Sequence, residues 1–132
     1  MAGDLIRLER IGFLRAGGWT LKDENLAFEL SLMAGATHLL YAFVVGDDVK
    51  SVGKTTRTLK RRMRGYRKPS KTQRTNLRIH REIKRLLESG HTVDIFVLTN
   101  ESPLQIGEFR VNLAASLEDD IIEKLDPEWN GG

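Results

Sequence analysis

A chain of 132 residues, 40% apolar and 30% charged, is sized for one hydrophobic core, because folded units commonly run about 100 to 200 residues. No stretch of about 18 apolar residues is available to cross a bilayer, and an N-terminus holding Asp4, Arg7, Glu9 and Arg10 lacks a signal-peptide core, so a cytoplasmic protein without a membrane partner is expected. The absence of cysteine excludes disulfides and thiolate zinc sites, which leaves His, Asp and Glu as ligands and favours a hard, oxygen-ligated cation.

In chain order, Leu5, Ile6, Leu8, Ile11, Phe13 and Leu14 suggest a short helix and a loop, and Gly17-Gly18 suggests a turn. Asn25 to Leu32 alternates loosely and reads as an edge strand with Trp19 packed nearby. We read residues 1–34 as an N-terminal extension packing on a core domain of residues 35–132. Leu39 to Val45 is a continuous apolar run closed by Gly46-Asp47-Asp48, a hairpin signal, and Val49 to Gly53 is its antiparallel return strand.

Thr55 or Thr56 can cap a helix running to about Tyr66, with Gly65 and Pro69 helping to end it. Leu59, Met63 and Tyr66 share one face of it, and the helical period puts Arg62 on that face while Arg61 points elsewhere. A second helix from about Gln73 to Ser89 buries Ile79, Ile83, Leu86 and Leu87. Val93 to Leu98 forms a third strand, Pro103 opens a loop, Gln105 to Val111 is ambiguous, and a last helix spans about Asn112 to Leu125, stopped by Pro127.

The formal net charge of +3 conceals an uneven distribution: 14 of the 21 Lys and Arg residues lie between Lys54 and Arg85, against the single acid Glu82. Such a band repels itself unless a polyanion lies nearby, which makes nucleic acid the leading partner over a solvated face of mixed sign. Arg74, Arg78, Arg81 and Arg85 recur at helical spacing, suited to tracking phosphates, and Lys54, Arg57 and Arg61 extend the band. Gln73 and Asn76 suit either adenine edges or a helix cap. His80 reads as a packed histidine, and His38 and His91 give no metal spacing.

Glu118 shares a helical face with Ala114, Ala115, Ile121, Ile122 and Leu125, whereas Asp119 and Asp120 lie on the polar side. A carboxylate there needs a cation, an arginine, or a stem long enough to reach water. The segment Gly53-Lys54-Thr55-Thr56 joins a strand to a helix. A nucleotide-binding P-loop fits poorly, because six residues separate Gly46 from Gly53, too many for that motif, and Asp48 stands where it requires glycine. The remaining reading is a junction whose backbone N–H groups and Lys54 face a phosphodiester.

Leu39-Leu40-Tyr41, then nine intervening residues, then Ser51-Val52-Gly53-Lys54, then Leu59 through Met63 with Tyr66, and finally Leu117-Glu118 and Pro127 through Asn130, together resemble the GIY-YIG nuclease pattern. The resemblance implies an α/β sandwich in which a small three-stranded antiparallel sheet is flanked by helices. It implies a metal-dependent endonuclease that hydrolyses DNA phosphodiesters, with Tyr41, Ser51, Lys54, Arg62, Tyr66, Glu118 and Asn130 as the site and one Mg2+ or Mn2+ on Glu118. Tyr41 would be the general base, its phenol lowered by Lys54 or by a metal-linked water. Two positions depart from the pattern: Leu39 stands for the glycine before the first tyrosine, and Ser51 for the second tyrosine. The alternative is a weakened or inactive DNA-binding module on the same scaffold. Monomer and homodimer both stay open.

Overall fold

The computed structural model describes residues 3–99, 105–111 and 113–130. The elements run α1 (Asp4–Glu9), β1 (Leu14–Lys22), β2 (Asn25–Leu30), β3 (Leu39–Val45), β4 (Asp48–Thr55), α2 (Leu59–Arg67), α3 (Arg74–Glu88), β5 (Val93–Thr99), β6 (Gln105–Ile106), β7 (Phe109–Arg110) and α4 (Leu113–Leu125). The loop expected to open at Pro103 and the helix start expected at Asn112 lie outside the described residues. Among those residues no helix is long and apolar enough to cross a membrane.

The main sheet has five strands in the order β2-β1-β5-β3-β4, each pairing antiparallel, and β6 and β7 make a separate short hairpin. Three strands were expected. The two additional strands come from the N-terminal segment: β2 falls within the stretch from Asn25 read as an edge strand, whereas Gly17-Gly18 looked like a turn and instead lies inside β1. At Gly17 a Cβ would run into the Glu29 carbonyl on β2, so glycine is there because two backbones approach closely. A register shift between Arg15 and Gly17 marks a bulge beside it. The reversal to β2 is made by Asp23 and Glu24, both left-handed at φ 52° and 67°, as a tight two-residue hairpin turn requires.

The apolar run of β3 is buried from Leu39 to Val44 because helices cover both faces of the sheet. Leu39, Tyr41 and Phe43 join Leu59, Met63 and Tyr66 of α2 and Ile79 and Ile83 of α3 in one core. Leu40, Ala42 and Val44 join Leu8, Phe13 and Ile121 in a second core, under α1 and α4. Alternate residues of one strand therefore serve opposite layers.

The strand β4 runs two residues beyond the expected Gly53, because Lys54 and Thr55 continue to pair with Leu40 and Leu39. The cap of α2 moves accordingly: Thr58, rather than Thr55 or Thr56, accepts a hydrogen bond from the Arg61 N–H at 3.2 Å. Thr55 Oγ1 is instead occupied by the Arg57 N–H. The boundaries of α3 and β5 fall within a residue or so of expectation, and the ambiguous stretch from Gln105 contains the β6–β7 hairpin.

As the outer strand, β4 would present unpaired backbone groups. The C-terminal turn covers them: the Trp129 N–H donates to the Lys50 carbonyl at 2.8 Å, and the Asn130 amide takes both backbone groups of Val52. Trp129 itself is buried in the α2/α3 core. This brings the C-terminal turn to β4, the strand that follows the second β-hairpin turn.

Candidate active site

Tyr41 points from β3 toward α2, and its hydroxyl lies 2.7 Å from that of Tyr66. The Tyr41 ring needs the space beside Gly53, its cross-strand partner: a Cβ there would stand 2.5 Å from the phenol oxygen and 2.6 Å from Cζ. A side chain at Gly53 would thus displace the phenol. Gly65 leaves room beside Arg62 more loosely, since a Cβ there would lie 3.3 Å from the guanidinium.

Arg62 is half-buried and donates to Tyr66 Oη at 2.9 Å and to Asn76 Oδ1 at 3.3 Å. Its guanidinium carbon lies 4.3 Å from the Tyr66 ring centroid and 5.7 Å from that of Tyr41. Helical phase had selected this arginine over the exposed Arg61. Every one of these partners is neutral, and no carboxylate lies within 4 Å of Arg62 among the described residues. A half-buried guanidinium with no carboxylate partner is a receptor for an anionic group.

Tyr41 contradicts the expectation that Lys54 lowers its phenol pKa. Burial pushes Tyr41 well above the ordinary tyrosine range, the neighbouring Tyr66 adds to the rise, and Arg62 opposes it. Tyr66 is also raised by burial, against the pull of Arg62. Lys54 projects to the other side of β4, where its ammonium lies 3.6 Å from Glu118 Oε1.

Glu118 is 15% exposed at its side chain and Lys54 52%, so the pair is only partly screened from water. The carboxylate on the apolar face of α4 is compensated here by a lysine. Among the described residues no group of three or more His, Asp or Glu side chains could enclose a metal ion. A single carboxylate does fit a hard cation such as Mg2+, which commonly keeps several waters and takes one or two carboxylates together with substrate phosphate oxygens.

Tyr41, Ser51, Lys54, Arg62, Tyr66, Glu118 and Asn130, drawn from β3, β4, α2, α4 and the C-terminal turn, line one cleft of about 340 Å³, with Arg78, Ile79 and Trp129 among the remaining lining residues. All seven residues of the expected site therefore meet. Ser51 is 3% exposed, and its hydroxyl is buried without a hydrogen-bond partner. Asn130 accepts from the Val52 N–H and donates to the Val52 carbonyl, both at 2.8 Å. Its amide thus clamps β4 rather than pointing its polar atoms freely into the cleft.

The basic band divides. Arg78 leaves the expected phosphate-tracking stripe and donates to the Trp129 carbonyl at 2.8 Å, anchoring the C-terminal turn. Arg57, Arg61, Arg74, Arg81 and Arg85 are exposed outside the cleft, and Arg85 is held by Glu82 at 2.6 Å. Gly53, Gly65, Asn76 and Trp129 are supporting residues whose roles the sequence did not disclose. Asn76 is 9% exposed and receives Arg62, rather than capping α3 or facing outward.

No family model and no curated protein matches the chain. Solved structures do. A mutant of bacteriophage T4 EndoII aligns with a TM-score of 0.75 over 96% of this chain and 98% of that one, at 19% sequence identity. Restriction endonuclease HPY188I in complex with product DNA aligns with a TM-score of 0.59 over 99% of this chain and 83% of that one, at 16% identity. The chain therefore has the α/β fold shared by these two structures, with a five-stranded sheet between helical layers.

Proposed function

We propose that the chain is an endonuclease of the GIY-YIG type, hydrolysing phosphodiester bonds in DNA with one Mg2+ or Mn2+ ion. The observation that carries this reading is Arg62, a half-buried guanidinium with neutral partners only, opening on the same cleft as the Glu118 carboxylate. The fold likeness to T4 EndoII and to a restriction endonuclease in complex with product DNA supports it, as does the basic band between Lys54 and Arg85.

Arg62 binds the non-bridging oxygens of the scissile phosphate and neutralises the charge that grows on them as a water oxygen attacks phosphorus. Its place between two phenol rings fixes that position before substrate arrives. Glu118 would hold the cation, which would free Lys54 from the carboxylate to meet a phosphate oxygen. When bound, the cation supplies charge neutralisation at the phosphate and at the leaving oxygen. Tyr41 and Tyr66 are neutral in the free protein, so they orient water and phosphate through hydrogen bonds. Tyr41 becomes the base toward the attacking water only where nearby positive charge offsets its burial.

The test is cleavage of duplex DNA with and without Mg2+ by the wild type, Glu118→Ala and Arg62→Ala. Loss of cleavage in both variants is expected. Full cleavage by purified Glu118→Ala would remove the metal assignment. One observation favours a second reading, a DNA-binding module that no longer cuts: Ser51 supplies a lone hydroxyl where the family pattern has a phenol. Salt-dependent DNA binding without product across several metals would establish that reading instead.

A further inference from the structure

Away from the cleft, a second concave site of about 350 Å³ opens between β2 and the α2–α3 pair, lined by Asn25, Leu26, Arg67, Lys68, His80 and Lys84. It contains three cations and no acid. Seven ion pairs form elsewhere among the described residues, yet none involves Arg67, Lys68 or Lys84. The exposed acids of the adjoining turn, Asp23 and Glu24, do not pair with them either. Arg67 is held in place by the Phe28 ring, 5.5 Å from its guanidinium carbon. His80 is oriented because its Nδ1–H donates to the Tyr66 carbonyl at 2.7 Å.

The structure assigns this concavity as a second phosphate-binding subsite, which grips the DNA backbone away from the bond being cut. Three unpaired cations around a hollow create a positive potential that a row of exposed, separately solvated side chains does not. The two sites meet at Tyr66: its hydroxyl reaches Tyr41 and Arg62 in the cleft, while its backbone carbonyl is fastened to His80 beside the second hollow. A strand seated in both sites would run over the α2–α3 junction toward β2. The subsite rests on the reading of DNA as substrate, and it extends the contact surface beyond the exposed arginines of α3. Its contacts are to phosphate, so they set affinity and path without reading sequence.

The experiment is equilibrium binding of a labelled DNA duplex in the presence of a chelator, over a range of salt, followed by cleavage in Mg2+. The proteins are the wild type, Arg67→Ala/Lys84→Ala, and Arg7→Ala/Lys124→Ala as a control at cations outside the site. The first double variant should bind at least about tenfold more weakly at ~0.1 M salt, with a log–log salt slope shallower by about two, while the control is unchanged. Should loss of the Arg67–Phe28 contact disturb folding, Lys68→Gln/Lys84→Gln leaves that contact intact and should move in the same direction. Wild-type affinity and slope in both subsite variants would overturn the subsite, as would a wild type that does not bind the duplex. A wild type that binds with the expected slopes but never cuts would remove the nuclease reading and keep the subsite. A working nuclease indifferent to these cations would do the reverse.

Discussion

Gly53 and Tyr41, facing each other across β4 and β3, share one volume: the phenol occupies the space that any side chain at position 53 would need. That shared space lets the phenol reach the Tyr66 hydroxyl at 2.7 Å.

We therefore expect Gly53→Ala to lower cleavage at least ~100-fold while the protein still folds. Overpacking a filled site costs about 1 to 3 kcal/mol, so its Tm should fall by several degrees. Differential scanning calorimetry and a cleavage assay check this together. Wild-type activity in Gly53→Ala would show that the Tyr41 position is not needed.

The raised phenols make a prediction about alkaline pH. A tyrosine whose folded pKa exceeds its unfolded value of about 10 contributes stability that is fully present below that value and is lost as pH rises through the folded pKa. Wild-type Tm should accordingly drop steeply above pH ~10, and less steeply in Tyr41→Phe. If Tyr41 must ionise to serve as base, the cleavage rate should keep climbing toward pH ~10. A plateau near neutrality would show that the attacking water loses its proton elsewhere.

Glu118 and Lys54 separate charge from stability. Their pair is partly exposed, so Glu118→Gln should change stability by no more than about 1 kcal/mol. Metal-stimulated cleavage should nevertheless vanish, as it should for the wild type treated with a chelator. Mn2+ binding followed by electron paramagnetic resonance, with DNA present, should weaken in the same variant. Unchanged Mn2+ binding would place the ion on other residues.

Asn130 gives a structural counterpart. Asn130→Ala removes both hydrogen bonds to Val52 at an outer strand, where water can replace part of them, so a loss of about 1 to 2 kcal/mol is expected. Hydrogen exchange at the Val52 amide should accelerate with it. Protection equal to the wild type would mean that the Trp129 and Arg78 contacts hold the turn unaided.

Ser51 tests whether a lone hydroxyl contributes to cleavage. Its hydroxyl is buried without a partner, so Ser51→Ala should leave Tm equal or slightly higher. A fall in cleavage of about tenfold, on the scale of one lost water-positioning hydrogen bond, would mark the hydroxyl as a participant. Unchanged cleavage would leave Ser51 as a space-filling substitute for a larger side chain.

Much was determined by the residues alone, because local periodicity and capping chemistry act within a few residues. The β3 run, the phase of Arg62 on α2, the length of α3 and the oddity of Glu118 on an apolar face were all legible for this reason. Where two distant backbones had to meet, the sequence could not speak. Gly17 and Gly18 have turn composition, and only pairing with β2 and β5 makes them strand residues; Asp23-Glu24 lacks the glycine that announces a tight hairpin. The same holds for the site. Its seven side chains were chosen by spacing, but their convergence on one cleft, the lysine opposite Glu118 and the rise of both phenol pKa values are consequences of burial and proximity. Those quantities exist only once the chain has packed, since desolvation depends on neighbours that sequence distance does not encode.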